Sequence, residues 1–407
     1  MAALAKELFD EIAQLVDDST DLKALSLASR AFVWSCQRQL FRTWLLYDRD
    51  RELPSLRKFT RKGPLVLLTF KKARKLRAKH PHLLAHARDL TVDLREDAPL
   101  GWLEEILLPQ TPPLTRLAIR NQFAFREVNM RSLALTTSPL AHVFFLPTLC
   151  SFHLQDFEGV PQNFVPFALS RFDEVKFIDI GIEKEAYSPP LPLGPTKTKT
   201  FAFISSSDVL HDPKHFLTIL DIDLHKHLRG IQTLSITLGL QKPNRRSLLE
   251  EGDWVETLER LEIGFMDYLQ PFPQRSFTAL RSLTLDFPIL IKALSTGGDA
   301  SLTSPGLTSD SNFENLIKTL PTTAPGLESL TLGIDVTFAF NGPESWPPLD
   351  AEIVPFATFT TMQQLPKLKK LHFDVSPSQH AEGFEDYVGR LFPGPREARI
   401  LSFSTSD

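Results

Sequence analysis

The chain has 407 residues, 42% hydrophobic and 23% charged, and its 45 Lys or Arg against 49 Asp or Glu leave a net charge of −4. This is globular composition, not that of a disordered or coiled-coil chain, and it offers no global attraction to nucleic acid or to a membrane surface. Only two cysteines, Cys36 and Cys150, are present, which excludes a disulfide scaffold and leads to the expectation of an intracellular setting, cytoplasmic or nuclear.

Lys6 and Glu7 stand where a signal peptide would need an apolar run, and the longest apolar runs, such as Leu65 to Leu68, are too short for a membrane span. Residues 1–45 read as three short helices. Leu4, Leu8, Ile12 and Leu15 recur at helical spacing. A turn of N-cap types, Asp17 to Thr20, precedes a second helix with Leu22, Leu25, Leu27 and Ala28. A third holds Phe32, Cys36, Leu40, Phe41 and Trp44.

Residues 57–88 contain eleven Lys or Arg and no acidic residue, with the strand-like Leu65 to Leu68 inside the run and a basic helix expected from Lys71 to about Ala85. Three readings stand for this segment: contact with anionic lipid or nucleic acid, contact with an acidic surface of a partner or of this chain, or a solvated face.

From about residue 88 one phrase recurs, apolar-x-apolar, often with another apolar residue three positions earlier. Its instances start at Leu90, Leu117, Phe152, Val175, Phe201, Leu234, Leu261, Leu283, Leu330 and Leu371, spaced from 22 to 47 residues. Alternation puts the apolar side chains on one face of a short strand. One repeat cannot bury that face alone, so neighbouring strands are expected to stack in parallel as a curved sheet. The intervening segments, such as Asp253 to Leu258, are expected to supply helices or turns. Residues 183–200, 295–311 and 341–349 read as inserted surface loops.

No nucleotide-binding, hydrolase or zinc-protease motif is present, so no catalytic residue, cofactor or metal is expected. Phe216 to Leu228 reads as an amphipathic helix. On it Asp221 with His225, and Asp223 with His227, fall at i, i+4, which suits either a divalent metal or a solvated charged face. His80, His82 and His86 lack supporting cysteines or carboxylates nearby.

The ordered set Leu4, Glu7, Leu8, Ile12, Asp21, Leu22, Leu25, Ser29, Arg30 and Phe32 resembles the F-box. The ten phrases resemble a degenerate leucine-rich repeat, whose period is about 20–29 residues. The expected fold is therefore α/β: an F-box-like three-helix module (1–45), a basic linker and capping helix (46–87), and a leucine-rich-repeat-like solenoid with a curved parallel sheet (88–407). The resemblance implies a non-enzymatic substrate receptor of an SCF-type ubiquitin ligase. Leu4, Glu7, Leu8, Ile12, Leu22, Leu25, Ser29, Arg30 and Phe32 would serve docking onto a Skp-family adaptor and, through it, a cullin. The solenoid would hold a target protein, with no nucleic acid partner. Ala5 stands where the family has proline, which favours a second reading, a repeat scaffold whose helices cap the solenoid. Finally, Glu262, Asp286, Asp335 and Asp374 are expected to line up as an acidic stripe on the exposed sheet face and to receive a basic segment of the target. The alternative is that exposed strand positions are simply polar.

Overall fold

The computed structural model describes residues 6–47, 64–94, 113–121, 140–183, 194–204, 216–217, 227–238, 253–265, 276–286, 319–335, 365, 367–376, 385 and 400–405. The chain divides into two compact units, one comprising Met1–Gly194 with Asp212–Leu217, the other Pro195–His211 with Thr218–Asp407.

The first unit begins with α1 (Lys6–Gln14), α2 (Ser19–Ala28) and α3 (Arg30–Leu40). Asp18 caps α2, accepting from the backbone N–H of Thr20 at 2.6 Å and of Asp21 at 3.1 Å. Ser29 caps α3, accepting from Ala31 N–H at 3.3 Å. Phe41 ends α3, and its N–H returns to the Gln37 carbonyl. Trp44, expected on this helix, instead lies in β1 (Thr43–Tyr47).

A parallel ladder follows, in the spatial order β2 (Leu65–Thr69), β1, β3 (Asp89–Leu94), β4 (Arg116–Asn121), β5 (Ser151–Pro161) and β6 (Glu174–Glu183). The ladder thus starts at Thr43, not at residue 88 as expected. The former linker contributes β2, then α4 (Phe70–Lys79) and α5 (Pro81–Leu84). Two helices, α6 (Leu140–Phe144) and α7 (Phe164–Arg171), bury Phe144 and Phe164 against Phe152 of β5.

The second unit carries β7 (Thr200–Ile204), β9 (Thr233–Leu238), β10 (Arg260–Phe265), β11 (Ser282–Asp286), β12 (Ser329–Asp335), β13 (Lys370–Ser376) and β14 (Leu401–Thr405), each parallel to the next. All ten expected phrases are strands. β8 (Phe216–Leu217) belongs to the first unit and runs antiparallel to β6. Phe216 and Leu217 are therefore strand, not the start of the expected amphipathic helix, because backbone pairing with Ile182 and Glu183 overrides the helical period. Residues 218–226, with Asp221, Asp223 and His225, lie outside the described residues. Of the expected loops, 184–193, 295–311 and 341–349 also lie outside them. Within 194–200, Thr198 is buried and Thr200 opens β7.

One hydrogen-bond device recurs at nine junctions between neighbouring strands. The carbonyl just before a strand accepts two consecutive N–H groups of the next repeat. Arg42 accepts from Arg88 and Asp89, Arg88 from Thr115 and Arg116, Thr115 from Cys150 and Ser151, and Cys150 from Asp173 and Glu174. The second unit repeats it from Lys199 through Gln232, Glu259 and Arg281 to Glu328. The register thus survives insertions of very unequal length. The apolar residue three positions ahead of the fuller phrases has its own place: the N–H of Leu280 or Leu327 closes a turn onto the carbonyl three residues earlier, and both side chains are fully buried. Leu283, Leu285, Leu330 and Leu332 are fully buried beside them, while Thr284 and Thr331 on the opposite face are half-buried. Leu285→Ala is expected to cost about 2–5 kcal/mol. A shift in denaturation midpoint worth under about 0.5 kcal/mol would contradict its placement in the core.

Candidate interaction surfaces

The helical module folds around Ala13, Leu22 and Cys36, with Val16, Leu25, Phe32 and Leu40 packed against them. The Phe9 and Phe32 rings meet edge to face at 4.9 Å, and the Arg38 guanidinium donates to Asp10 Oδ2 at 3.1 Å. Burial pushes the Cys36 thiol up from its ordinary value, as for an inert core thiol.

The residues expected to dock an adaptor therefore separate. Leu22 is core, and Leu25 and Phe32 pack on it. Ser29 is a helix cap. Glu7 and Arg30 are exposed, and Leu4 lies outside the described residues. Leu8 and Ile12 are 41% and 38% exposed. Leu15 and Leu27 are the most exposed of all at 84% and 88%.

On the sheet, register decides which residues meet. Glu262 of β10 pairs with Thr284, whereas Asp286 of β11 pairs with Gly264 and Gly333. Asp374 of β13 also pairs with Gly333, and Asp335 of β12 pairs with Ser376. The four carboxylate positions share one face, since they differ by even numbers of residues, but they occupy three levels. Only Asp286 and Asp374 share a level, two strands or about 10 Å apart with Gly333 between them. A single acidic row is not formed.

Two polar networks form where sequence patterning gave no signal. On β4–β6, Arg116 Nη2 lies 3.1 Å from His153 Nδ1. Arginine can only donate, so Nδ1 accepts and the ring proton sits on Nε2. Nε2 then faces Glu174 Oε1 and Ser151 Oγ, each at 3.3 Å. Burial lowers the His153 pKa, keeping the ring neutral. The hydrogen bond from His153, helped by Ser151 and Arg116, holds Glu174 at about 2. Beside it Arg120 Nε donates to Gln155 Oε1 at 3.0 Å. On β13–β14, His372 meets Ser402 Oγ at 2.8 Å through Nδ1 and Ser404 Oγ at 2.9 Å through Nε2, and Ser404 donates to Asp374 at 2.7 Å.

Asp156 and Asp179 both take positive φ, 60° and 49°, at neighbouring positions of β5 and β6. Burial, and then the Asp179 charge, push Asp156 from 3.8 to about 6. Below pH 3.8 both folded and unfolded chains hold the proton. Between 3.8 and about 6 the unfolded chain releases it first, so this group's contribution falls as pH rises through that window. The full difference corresponds to about 3 kcal/mol, which solvent screening of a half-buried group reduces to about 1 kcal/mol. Asp156→Asn, with asparagine tolerating the left-handed backbone, is expected to stabilise the protein by about that much at pH 7. The advantage should vanish below pH 4, and equal stability at pH 7 would contradict the account.

Among the described residues no group of three or more His, Cys, Asp or Glu is placed to hold a metal, and no helix is long and apolar enough to cross a membrane. No family model matches the chain, and no curated protein matches it.

Proposed function

We propose that this chain is the substrate-recognition subunit of an SCF-type ubiquitin ligase, with α1–α3 docking a Skp-family adaptor and, through it, a cullin, while the parallel ladder holds the target. The observation that carries the reading is the helical module's division of its leucines. Leu22 sits at the centre of a closed core, while Leu8, Ile12, Leu15 and Leu27 are spent on the surface. Folding gains little from Leu15 and Leu27, 84% and 88% exposed, and only part of what Leu8 and Ile12 could give; several such apolar side chains on one small module suit a protein partner. The chain needs no catalytic residue of its own. Holding target and ubiquitin donor together replaces a bimolecular encounter by an intramolecular one. Ala5 favours the rival reading, a repeat scaffold capped by these helices. Co-purification of the full chain with a Skp-family adaptor separates the two: a stable complex supports the receptor, and its failure at micromolar concentration leaves the scaffold.

A further inference from the structure

The first unit gathers positive charge around α4, α5 and the end of α3. α4 is seated on β2 and β1 through Phe70 and Ala73, both fully buried, and the half-buried Leu76. The rest of its surface is cationic, with Lys71, Lys72, Arg74, Lys75 and Lys79 exposed. α4 runs into α5, which carries the exposed His82 and packs against α4. Arg88, at the entry to β3, feels the charges of Arg38 and Arg42, and His86 feels those of His82, Arg88 and Arg38. Trp34, 44% exposed, lies among them. Arg38 sits over its ring at 5.6 Å from the centroid, and the His86 ring meets it edge-on at 5.4 Å. Surfaces ordinarily intersperse both signs of charge. Here the described residues 64–88 hold seven Lys or Arg and no acid, in a chain whose net charge is −4.

We propose that α4, α5 and the Arg38–Arg42–Arg88 cluster around Trp34 form a docking surface for an acidic, Asp- and Glu-rich segment of a partner polypeptide. The exposed lysines of α4 carry the charge of this surface, since Arg38 and Arg42 already pair with Asp10 at 3.1 Å and Asp89 at 4.0 Å, and two features favour that occupant over a lipid surface or a nucleic acid. The apolar side of α4 is spent on the sheet, leaving nothing for insertion into a lipid surface. Trp34 is engaged by Arg38 and His86, so it is no stacking platform for bases. Charge range points the same way. Screening over about 8 Å lets a short acidic peptide sense only the patch. A longer polyanion would also run over the acidic remainder of the chain. Lys71, Lys75 and Lys79 follow one another at four-residue spacing along one side of the helix, a row matched to acidic side chains spaced along a peptide. The proposal stands independently of the adaptor reading, since these residues are not those expected to dock the adaptor.

The test is fluorescence anisotropy of a labelled poly-glutamate peptide with the full-length chain. Binding is expected at low salt and should weaken about tenfold at physiological salt. The exposed triple reversal K71E/K75E/K79E should leave the melting temperature unchanged and weaken binding at least about tenfold. The neutral triple K71Q/K75Q/K79Q should fall between it and the wild type. No binding, binding unchanged in the triple reversal, or a labelled RNA oligomer that binds more tightly than the peptide would each overturn the proposal.

Discussion

Phe152→Ala is expected to cost about 3–5 kcal/mol, near the top of the range for one substitution. Phe152 is fully buried on β5. Its ring packs on Phe144 at 5.2 Å, Phe172 at 5.3 Å, Phe164 at 5.7 Å and Phe177 at 6.5 Å. Truncation removes the common partner of four rings held by two helices, the C-cap of α7 and one strand, and aromatic contacts add to the lost area burial. For a unit of this size the loss corresponds to a fall of roughly 6–20 °C in melting temperature. Phe145 lies beside the same cluster but is 47% exposed, so Phe145→Ala should cost under about 1 kcal/mol. Equal losses for the two variants would refute the packing order.

The second large effect concerns binding. Leu8→Asp and, separately, Leu27→Asp are expected to weaken the adaptor complex about thirtyfold or more, the loss of an interface hot spot. Leu27→Asp should leave the melting temperature unchanged, since that side chain is 88% exposed, and Leu8→Asp, at a side chain 41% exposed, should lower it only slightly. Leu22→Asp makes the contrast. It places a charge in the Ala13–Leu22–Cys36 core and should unfold the module, abolishing binding for a different reason. An adaptor that binds Leu8→Asp as well as the wild type would show that this face is not the docking surface.

These faces were only partly legible in the sequence. Helical period says which leucines share a side; it does not say whether that side finds a partner within the chain. Leu15 therefore reads as an ordinary pattern residue, yet it is more exposed than Leu8. The strands were far more legible, because two apolar residues flanking a polar one encode a one-sided strand in three positions, and all ten such phrases are strands. β1 was hidden because Leu40, Phe41 and Trp44 keep helical spacing across the end of α3, where Phe41 already leaves the helix. β14 carries the same phrase, Leu401-Ser-Phe403, without the leading leucine of the fullest versions. Phe216 and Leu217 misled in the opposite direction: their helical pattern is real, but the edge of β6 pairs them as strand. The acidic positions failed on level, not on face. Glu262 precedes the second apolar residue of its phrase, Asp286 and Asp374 follow theirs by one, and Asp335 follows by three. Parallel register turns those offsets into three separate levels. The His153 and His372 networks assemble residues from different repeats, and such pairings become visible only when the register is known.

If α1–α3 present an adaptor-docking face, calorimetric titration of a purified Skp-family adaptor into the full-length chain should detect it. A one-to-one complex tighter than about 1 μM is expected. Its heat-capacity change should be negative, because the leucines on the module's surface become buried. No heat of binding at micromolar concentration, or a complex of unchanged affinity in Leu8→Asp and Leu27→Asp, would contradict it.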